Sequence, residues 1–368
     1  MPFQTQAAVV RKQGGPFVFE KIELDDPRPD EVIVRMIASG ICHTDIAARD
    51  GSLGMNFPAV FGHEGAGIVE IVGADVRKVR AGDKVVLSFS SCGYCAHCRA
   101  DRPSHCDSFD GLNFDGARPD GSPSIRDARG RPVSGLFLGQ SSLAFHALTR
   151  ERNLIMVDAG QDEMALLAPF GCGVQTGAGT VLNELKPGAG DAVAVFGTGA
   201  VGLSALMAAR MAGAGLIVAV DIVPFRLEVA RKLGAHLALD ARGEDVLARI
   251  RELAPKGVDH AVETTGHSRV IDQAIRTLGP EGNLSLVGIS ADAPDELITP
   301  QRPGPGQKVF YTVAGDSNPQ KFIPFLIEAF RNGKFPVDAL ERQYPASRIN
   351  EAVSDSLSGL VIKPVLRF

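Results

Sequence analysis

Four cysteines lie within one short stretch and follow the pattern C-x2-C-x2-C-x7-C: Cys92, Cys95, Cys98 and Cys106. Four thiolates this close can surround one Zn²⁺ as a tetrahedron, and a site closed by four protein ligands is structural. An iron–sulfur cluster also takes four cysteines, and disulfide pairs would use them as well. Because no neighbouring residue suggests electron transfer, the spacing predicts a structural zinc lobe over residues 92–106.

The other two cysteines, Cys42 and Cys172, are far apart in the sequence, and His63 lies between them. Two cysteines, one histidine and an open fourth position make up one form of catalytic zinc site. Buried apolar cysteines and an unrelated histidine would give the same residue types. The residue types alone therefore leave both alternatives open.

A third constellation is the turn Gly197-Thr198-Gly199-Ala200-Val201-Gly202, which follows the apolar run 193–196. Gly197 permits a sharp turn, Gly199 permits close approach of a pyrophosphate, and Gly202 permits close packing of helix and strand. A second apolar run ends in Asp221, 19 residues past Gly202. An acid at this distance binds the ribose hydroxyls of a dinucleotide and repels a 2′-phosphate, so the pattern predicts NAD.

The composition sets limits on these hypotheses. At 368 residues the chain is too long for one ordinary core, so two domains are expected. Hydrophobic residues make up 45%, charged residues 22%, and the net charge is −5, which argues against nucleic acid as a partner. No apolar run reaches the length of a membrane span, and no secretory signal is visible. We therefore expect a cytoplasmic protein in which cysteines bind metal rather than form disulfides.

The periodicity then divides the chain. Short strand-like runs separated by Gly and Pro predict a β-rich N-terminal part, while residues 107–132 read as a long loop. From residue 192 predicted strands, such as 192–196 and 216–221, alternate with predicted helices, such as 224–233, which predicts a doubly wound parallel sheet of the Rossmann kind. We predict a catalytic domain formed by residues 1–173 and 313–368 and an NAD-binding domain formed by residues 174–312.

Five motifs in order carry a resemblance to a known family: Gly40–Asp45, Gly62–Gly67, the four-cysteine lobe, Phe170–Gly173 with Thr176-Gly177, and Gly197–Gly202. The chain resembles the zinc-dependent medium-chain alcohol dehydrogenases over nearly its whole length. Within them it is most similar to the aryl- (benzyl-) alcohol dehydrogenases, because Cys42–Asp45 runs on through Ile46-Ala47-Ala48-Arg49-Asp50-Gly51. The resemblance implies a β-rich, GroES-like catalytic domain beside the Rossmann domain.

The resemblance also implies roles at a catalytic metal. Cys42, His63 and Cys172 would hold the zinc, whose Lewis acidity lowers the pKa of an alcohol in the fourth position. Asp45 would fix the tautomer of His63. Glu64 matches an acid beside the zinc that serves as a transient ligand; alternatively it is a core carboxylate that pairs with a basic residue. Two zinc ions per chain are expected, one catalytic and one structural.

Thr44 matches the hydroxyl that takes the alcohol proton, although Thr44 and His43 could simply cap a helix. The liver-type relay ends in a histidine where this chain has Ala47, so the exit route of the proton stays open. The resemblance implies further cofactor contacts: His43 and Lys363 at the pyrophosphate, Arg226 at the adenosine ribose, and Thr176, Val201 and Val287 at the nicotinamide.

The expected reaction is oxidation of an aromatic or bulky primary alcohol to its aldehyde, with hydride transfer to NAD. Phe89, Phe137 and Leu138, with part of the loop around 112–114, are the predicted substrate-pocket residues, although each could be plain core. Short-chain alcohols, polyols and S-hydroxymethylglutathione remain alternative substrates. A zinc-free quinone reductase is disfavoured because all seven zinc ligands are present. A non-catalytic sensor that binds NAD and zinc is disfavoured because Thr44 is intact.

The expected partners are small-molecule alcohols and aldehydes, with no nucleic acid and no membrane. The family also suggests a homodimer or homotetramer, in which a liver-type dimer joins edge strands near 284–288 and 309–313.

Overall fold

The computed structural model describes residues 3–289 and 298–368. The chain folds into two compact units. The first unit comprises Met1–Cys172, Asn318–Ile327 and Glu341–Phe368, and the second comprises Gly173–Ser317 and Glu328–Leu340.

The N-terminal part of the first unit consists mainly of short strands, as its Gly- and Pro-punctuated sequence predicts. Its elements are β1 (Phe3–Val10), β2 (Val18–Leu24), β3 (Glu31–Gly40), α1 (His43–Arg49), β4 (Ala59–Val60), β5 (Glu64–Val72), β6 (Lys84–Leu87), α2 (Ala96–Arg99), α3 (Phe109–Phe114), β7 (Ile125–Asp127), β8 (Pro132–Val133), β9 (His146–Arg150), β10 (Leu154–Met156) and α4 (Gln161–Leu167).

The second unit alternates strand and helix. Its elements are α5 (Gly173–Gly179), β11 (Ala192–Phe196), α6 (Ala200–Ala212), β12 (Leu216–Asp221), α7 (Pro224–Leu233), β13 (Leu237–Asp240), α8 (Val246–Leu253), β14 (Val258–Glu263), α9 (Ser268–Thr277), β15 (Leu278–Leu286) and β16 (Lys308–Tyr311). The last part of the chain adds α10 (Pro319–Arg331), β17 (Glu341–Pro345), α11 (Ile349–Leu357) and β18 (Lys363–Arg367).

The first unit contains two sheets. One has the order β4-β1-β2-β7-β8, and the other has the order β10-β6-β5-β3-β18-β17, with β9 also paired to β3. Strand β18 joins β3 antiparallel, with Val365 opposite Gly40, so the end of the chain completes a sheet begun near its start. This pairing brings Lys363 next to the segment that carries Cys42 and Glu64.

The second unit is built on one parallel sheet of order β13-β12-β11-β14-β15-β16. Strand order reverses beside β11, which is the topological switch point where open α/β sheets bind ligands. The apolar strands are buried, as parallel sheets covered on both faces require. The predicted doubly wound parallel sheet with a β-rich partner is confirmed.

The prediction of a continuous loop over residues 107–132 is wrong. Helix α3 and strand β7 lie within it, and β7 pairs with β2 through Glu23 and Arg126. Their sequences are too short to show a periodicity, so pattern analysis could not find them.

A buried ion pair ties this segment to the unit. The Arg118 guanidinium donates to both carboxylate oxygens of Glu31 at 2.8 Å and to Asp25 at 2.9 Å. Arg118 is 4% exposed and Glu31 2%. The bidentate geometry is the strongest form of such a pair, because two parallel N–H groups match two oxygens.

We expect Arg118→Met to lower the free energy of unfolding by about 3–5 kcal/mol, because it leaves the Glu31 carboxylate buried without its partner. The matched control is Arg131→Met, since Arg131 pairs with Asp127 from a side chain that is 59% exposed, and it should cost at most about 1 kcal/mol. Urea unfolding followed by circular dichroism measures both. Equal, small losses in the two variants would contradict a role for Arg118 as an anchor.

Among the described residues, no single helix has the length and apolar composition needed to cross a membrane. Two consecutive helical stretches, Gln161–Gly171 and Gly173–Leu185, meet that test only when they are taken together as one bent pair.

Candidate active site and metal centres

The first unit brings Cys42, His63, Glu64 and Cys172 together. One ligand atom from each lies within 4.8 Å of the others. Cys42 is the N-cap of α1, His63 directly precedes β5, and Cys172 follows a 3₁₀ turn over Ala168–Gly171. In the sequence His63 lies 21 positions after Cys42 and 109 positions before Cys172. The fold brings all three residues together at the ends of three separate elements.

The carboxylate of Asp45 holds two of these residues in place. Its Oδ2 accepts the N–H of Cys42 at 2.9 Å, and its Oδ1 accepts His63 Nδ1 at 2.8 Å and the N–H of Gly62 at 2.9 Å. Because Nδ1 carries the proton in this bond, the lone pair of His63 lies on Nε2. Asp45 is fully buried, so these bonds are not weakened by water.

His63 Nε2 is buried and has no hydrogen-bond partner among the described residues. A buried unpaired nitrogen is costly unless a ligand satisfies it. Two cysteine sulfurs and an imidazole nitrogen are zinc donors, and sulfurs about 3.8 Å apart would fit a tetrahedron with bonds of about 2.3 Å. The residues therefore fit a zinc ion with an open fourth position.

The neighbouring groups favour a thiolate on Cys42. The bond from the Cys172 thiol and the charge of Lys363 lower the pKa of Cys42 well below its usual value despite burial, while the same bond and burial raise the pKa of Cys172. Burial lowers the pKa of His63, but the charge and the hydrogen bond of the Asp45 carboxylate together act in the opposite direction, and the pKa of His63 is raised well above its usual value. Cys42 thus favours the thiolate, which is the form of cysteine that binds metal.

Glu64 is fully buried, and Lys363 donates to its two oxygens at 2.9 and 2.8 Å and to the carbonyl of Ile41 at 3.2 Å. The prediction that Glu64 pairs with a basic residue agrees with this geometry. The Lys363 ammonium has three donors and makes three contacts, and the side chain is 3% exposed. The predicted contact of Lys363 with a pyrophosphate would require it to give up part of this arrangement.

The second metal centre is the four-cysteine lobe. The sulfurs of Cys92, Cys95, Cys98 and Cys106 lie within 4.8 Å of one another, and all four thiols are free of disulfides. Backbone N–H groups point at three of the sulfurs, as from Cys92 to Cys106 at 3.2 Å and from Cys95 to Cys92 at 3.3 Å. Backbone bonds of this kind, from Asp107 and Cys98, lower the pKa of Cys95 to about 6. N–H groups directed at sulfur favour thiolates, which are the form that binds metal. Burial acts in the opposite direction at the other end of the lobe: it raises the pKa of Cys98 and raises that of Cys106 to about 12.

In the second unit the glycines occupy the expected positions. Gly197 has φ +85°, and a Cβ there would strike Thr264. A Cβ on Gly202 would overlap the carbonyl of Gly197, so helix α6 can approach β11 only without a side chain there. Gly199 is the N-cap of α6 and has open space where a Cβ would be. The first turn of α6 therefore leaves room for an anion at its N-terminus.

Asp221 ends β12 and is 7% exposed. Its Oδ2 accepts the N–H and the hydroxyl of Thr198 at 2.5 and 2.7 Å, and its Oδ1 accepts the N–H groups of Ile222 and Val223. Sequence reasoning missed Thr198, whose hydroxyl orients the acid. The Nε of Arg226 in α7 is buried and has no hydrogen-bond partner in the described part of the chain.

The remaining predicted cofactor residues differ in exposure, and Thr176 is buried. His43 is exposed at the start of α1, Thr176 lies in α5, Val201 is partly exposed in α6, and the N–H of Val287 donates to Glu263 just after β15. Their contacts with a dinucleotide stay predictions.

Aromatic rings extend from the metal site. The ring of Phe137 is fully buried and stands edge-on to His63, with centroids 5.5 Å apart. Phe114 packs on Phe137 at 6.1 Å, Phe109 on Phe114 at 6.4 Å, and Phe89 on Phe109 at 5.6 Å. Of the predicted pocket residues, Phe137 is thus at the metal site and Phe89 is three rings away. Leu138 is partly buried against the same cluster.

Sequence reasoning missed Phe109 because it read α3 as loop. The buried amide of Asn113 fixes this helix: its Oδ1 accepts the N–H of Ser90, and its Nδ2 donates to the carbonyls of Ser90 and Phe109.

The parallel sheet with its glycine turn and the two zinc-type donor sets define a zinc-binding dehydrogenase. Two family comparisons agree: residues 28–127 match the alcohol dehydrogenase GroES-like domain, and residues 200–328 match the zinc-binding dehydrogenase domain. The chain is 43% identical to geraniol dehydrogenase of Castellaniella defragrans over 366 residues, which cover 99% of this chain and 97% of that relative. It is 35% identical to an NDMA-dependent alcohol dehydrogenase of Amycolatopsis methanolica, covering 99% and 98%.

Solved structures agree as well. The crystal structure of an alcohol dehydrogenase zinc-binding domain protein from Burkholderia ambifaria matches this chain with a TM-score of 0.94 and 45% identity. The match covers both chains fully. Benzyl alcohol dehydrogenase from Acinetobacter calcoaceticus has a TM-score of 0.92 at 38% identity, covering 100% of this chain and 99% of that one. The chain belongs to the zinc-dependent medium-chain alcohol dehydrogenase family. It is a zinc-dependent alcohol dehydrogenase for small-molecule alcohols and aldehydes, and its cofactors are NAD and zinc.

Proposed function

We propose that this enzyme oxidises an aromatic or other bulky primary alcohol to its aldehyde, reversibly, with NAD as the hydride acceptor. The observation that carries the proposal is the row of aromatic rings that begins edge-on to His63 and continues through Phe137, Phe114 and Phe109. An apolar wall beside the reacting centre favours a substrate with a large apolar group on its carbinol carbon.

The relatives support the same substrate class. Two of them are named for geraniol and for benzyl alcohol. Both compounds are primary alcohols whose carbinol carbon is attached to an unsaturated carbon, in a chain in one case and in a ring in the other. The proposal therefore includes allylic alcohols as well as aryl alcohols.

Cys42, His63 and Cys172 hold the catalytic metal in this proposal, and Cys92, Cys95, Cys98 and Cys106 hold the structural one. When bound, the catalytic zinc supplies Lewis-acid chemistry that lowers the pKa of an alcohol. Asp45 keeps the proton of His63 on Nδ1, so that Nε2 faces the metal. Lys363 neutralises Glu64, so this buried acid does not add an uncompensated charge beside the two thiolates.

Thr44 takes the proton in the proposed reaction. Its hydroxyl lies 3.6 Å from Cys42 Sγ, and a hydroxyl can accept one proton while it donates another. When bound, NAD would supply the hydride acceptor, and the Thr44 hydroxyl would accept the proton of the alcohol and pass a proton on toward solvent. Ala47 is buried and cannot relay a proton, so the onward route would use cofactor hydroxyls, water or another residue.

Phe114→Ala tests the apolar wall. We expect kcat/KM for benzyl alcohol and geraniol to fall about tenfold, because the loss of aromatic packing costs about 1.4 kcal/mol, while kcat/KM for ethanol stays nearly unchanged. The matched control is Phe325→Ala, which removes the same atoms from a stacked pair with Phe322 on α10 and should change neither. Equal losses for ethanol and benzyl alcohol in Phe114→Ala would contradict the proposed substrate class.

The proposal includes a homodimer or homotetramer. Within the described part of the chain, strand β16 is the edge of the parallel sheet, and Tyr311 at its end is 78% exposed. An unpaired strand edge with apolar side chains favours association. Light scattering of the purified chain measures its mass, and a monomer would contradict this part of the proposal.

A further inference from the structure

Gln140 holds the backbone on both sides of His63. Its Nε2 donates to the carbonyl of His63 at 2.9 Å, and its Oε1 accepts the N–H of Gly65 at 3.1 Å. The side chain is 1% exposed, and it reaches these groups from a position 77 residues away in the sequence. Both polar ends of the amide are therefore used on the short segment that carries His63 and Glu64.

The turn that carries Gln140 is strained. Leu136, Leu138 and Ser141 have φ values of +53°, +47° and +54°, in the left-handed region that costs about 1–2 kcal/mol for each residue other than glycine. Such a turn persists only where its surroundings fix it, and strain of this kind is a reason to look for function.

Buried hydrogen bonds fix the turn. The hydroxyl of Ser141 accepts the N–H of Phe137 and donates to the carbonyl of Val60. On the other side, Thr149 and Asn153 both donate to the carbonyl of Gly139, at 2.6 and 3.0 Å. The amide of Gln140 is thus carried by a rigid piece of backbone and not by a flexible loop.

The same backbone pairs directly with the residues before His63. The N–H of Ser142 donates to the carbonyl of Gly62 at 2.9 Å, and that of Leu143 to the carbonyl of Phe61 at 3.0 Å. Gly62 has φ +98°, and a Cβ there would overlap Leu143, so the two backbones can approach this closely only with glycine at position 62.

We infer that Gln140 is a positioning residue for the catalytic metal site, acting through the backbone of His63. Asp45 fixes the imidazole ring at Nδ1, and Gln140 fixes the peptide groups from which that ring extends. Together they set where Nε2 lies relative to the two cysteine sulfurs. The inference rests on the proposed assignment of Cys42, His63 and Cys172 as metal ligands.

An apolar side chain at position 140 would leave a buried carbonyl on His63 and a buried N–H on Gly65 without partners. These groups would seek other partners, and the His63 segment would shift. Residues that support a metal ligand from outside typically contribute 10- to 100-fold to metal affinity. The effect should therefore be seen in metal release as well as in turnover.

The test compares Gln140→Met with wild type, each loaded with Co²⁺ at the catalytic site and Zn²⁺ in the four-cysteine lobe. We expect a chelator to remove the Co²⁺ at least about tenfold faster from the variant, and the ligand-field bands of the bound Co²⁺ to shift. The matched control is Tyr344→Phe, which removes the hydrogen bond of a 2%-exposed side chain in the same unit, to Asp355, and changes no hydrogen bond of His63, Gly65 or the turn that carries Gln140. It should keep the wild-type bands and release rate.

Co²⁺ release and bands equal to wild type in Gln140→Met would overturn the inference, as would equal acceleration in Tyr344→Phe. If Gln140→Met does not fold, Gln140→Glu replaces it in the test, because this variant keeps an acceptor for the N–H of Gly65 and removes the donor to the carbonyl of His63. A wild-type rate of Co²⁺ release from Gln140→Glu also overturns the inference. If wild-type protein binds metal only in the four-cysteine lobe, the proposed ligand assignment fails instead.

Discussion

Cys42→Ser should lower kcat/KM for benzyl alcohol by at least about 1,000-fold, which corresponds to about 4 kcal/mol of transition-state stabilisation. The reason is that zinc holds a thiolate far more strongly than a serine hydroxyl, so the variant should lose the catalytic metal. Zinc analysis should give one ion per chain where wild type has two. Full activity in the variant would contradict the assignment of Cys42 as a ligand.

The matched variant is Cys98→Ser in the four-cysteine lobe. It should also lose one zinc ion per chain, but the donors around His63 stay intact. A Co²⁺-loaded Cys98→Ser protein should therefore keep the ligand-field bands of the catalytic site, while its free energy of unfolding should fall. The two variants together separate the two metals by their consequences.

Asp221→Ser should reverse the cofactor preference. Replacing the carboxylate removes two strong acceptors for ribose hydroxyls, at a cost of about 2 kcal/mol for NAD, and it removes the charge that repels a 2′-phosphate, which gains a similar amount for NADP. The ratio of kcat/KM for NAD to that for NADP should fall about 1,000-fold. The unpaired Nε of Arg226 would then be available as a donor to the phosphate.

Asp259→Ser is the control for this experiment. Asp259 lies at the amino-terminal end of β14, away from the carboxyl ends of the strands where such sheets bind ligands, and its carboxylate accepts the N–H of Ala192. Its cofactor ratio should equal that of wild type. An unchanged ratio in Asp221→Ser would mean that another group selects the cofactor.

The parts of the structure that repeat or that use rare residues were predictable. The parallel sheet followed from strands and helices of regular length: the predicted strands 192–196 and 216–221 and the helix 224–233 have the same bounds in the structure. The four-cysteine cluster followed from spacing alone. In both cases the physical requirement is local, so a short stretch of sequence contains it.

The structure departs from expectation where a contact joins distant residues of ordinary type. Gln140 is one glutamine in a short turn, and nothing in its neighbours indicates that its amide spans His63. Asn113 supports α3 in the same way, inside a segment that reads as loop. The contact of Lys363 with Glu64 is a third case, because it follows from the pairing of β18 with β3, while the contact of Lys363 with a pyrophosphate stays a prediction.

The most direct test of the central claim is selective removal of the metal at Cys42, His63 and Cys172. Dialysis against a small chelator should take zinc from two ions per chain to one, with the four-cysteine lobe still filled, because its site has no open position. We predict that NADH formation from benzyl alcohol then falls in proportion to the zinc removed and returns when one equivalent of Zn²⁺ is added. Undiminished turnover by protein that retains only the lobe zinc would contradict the account.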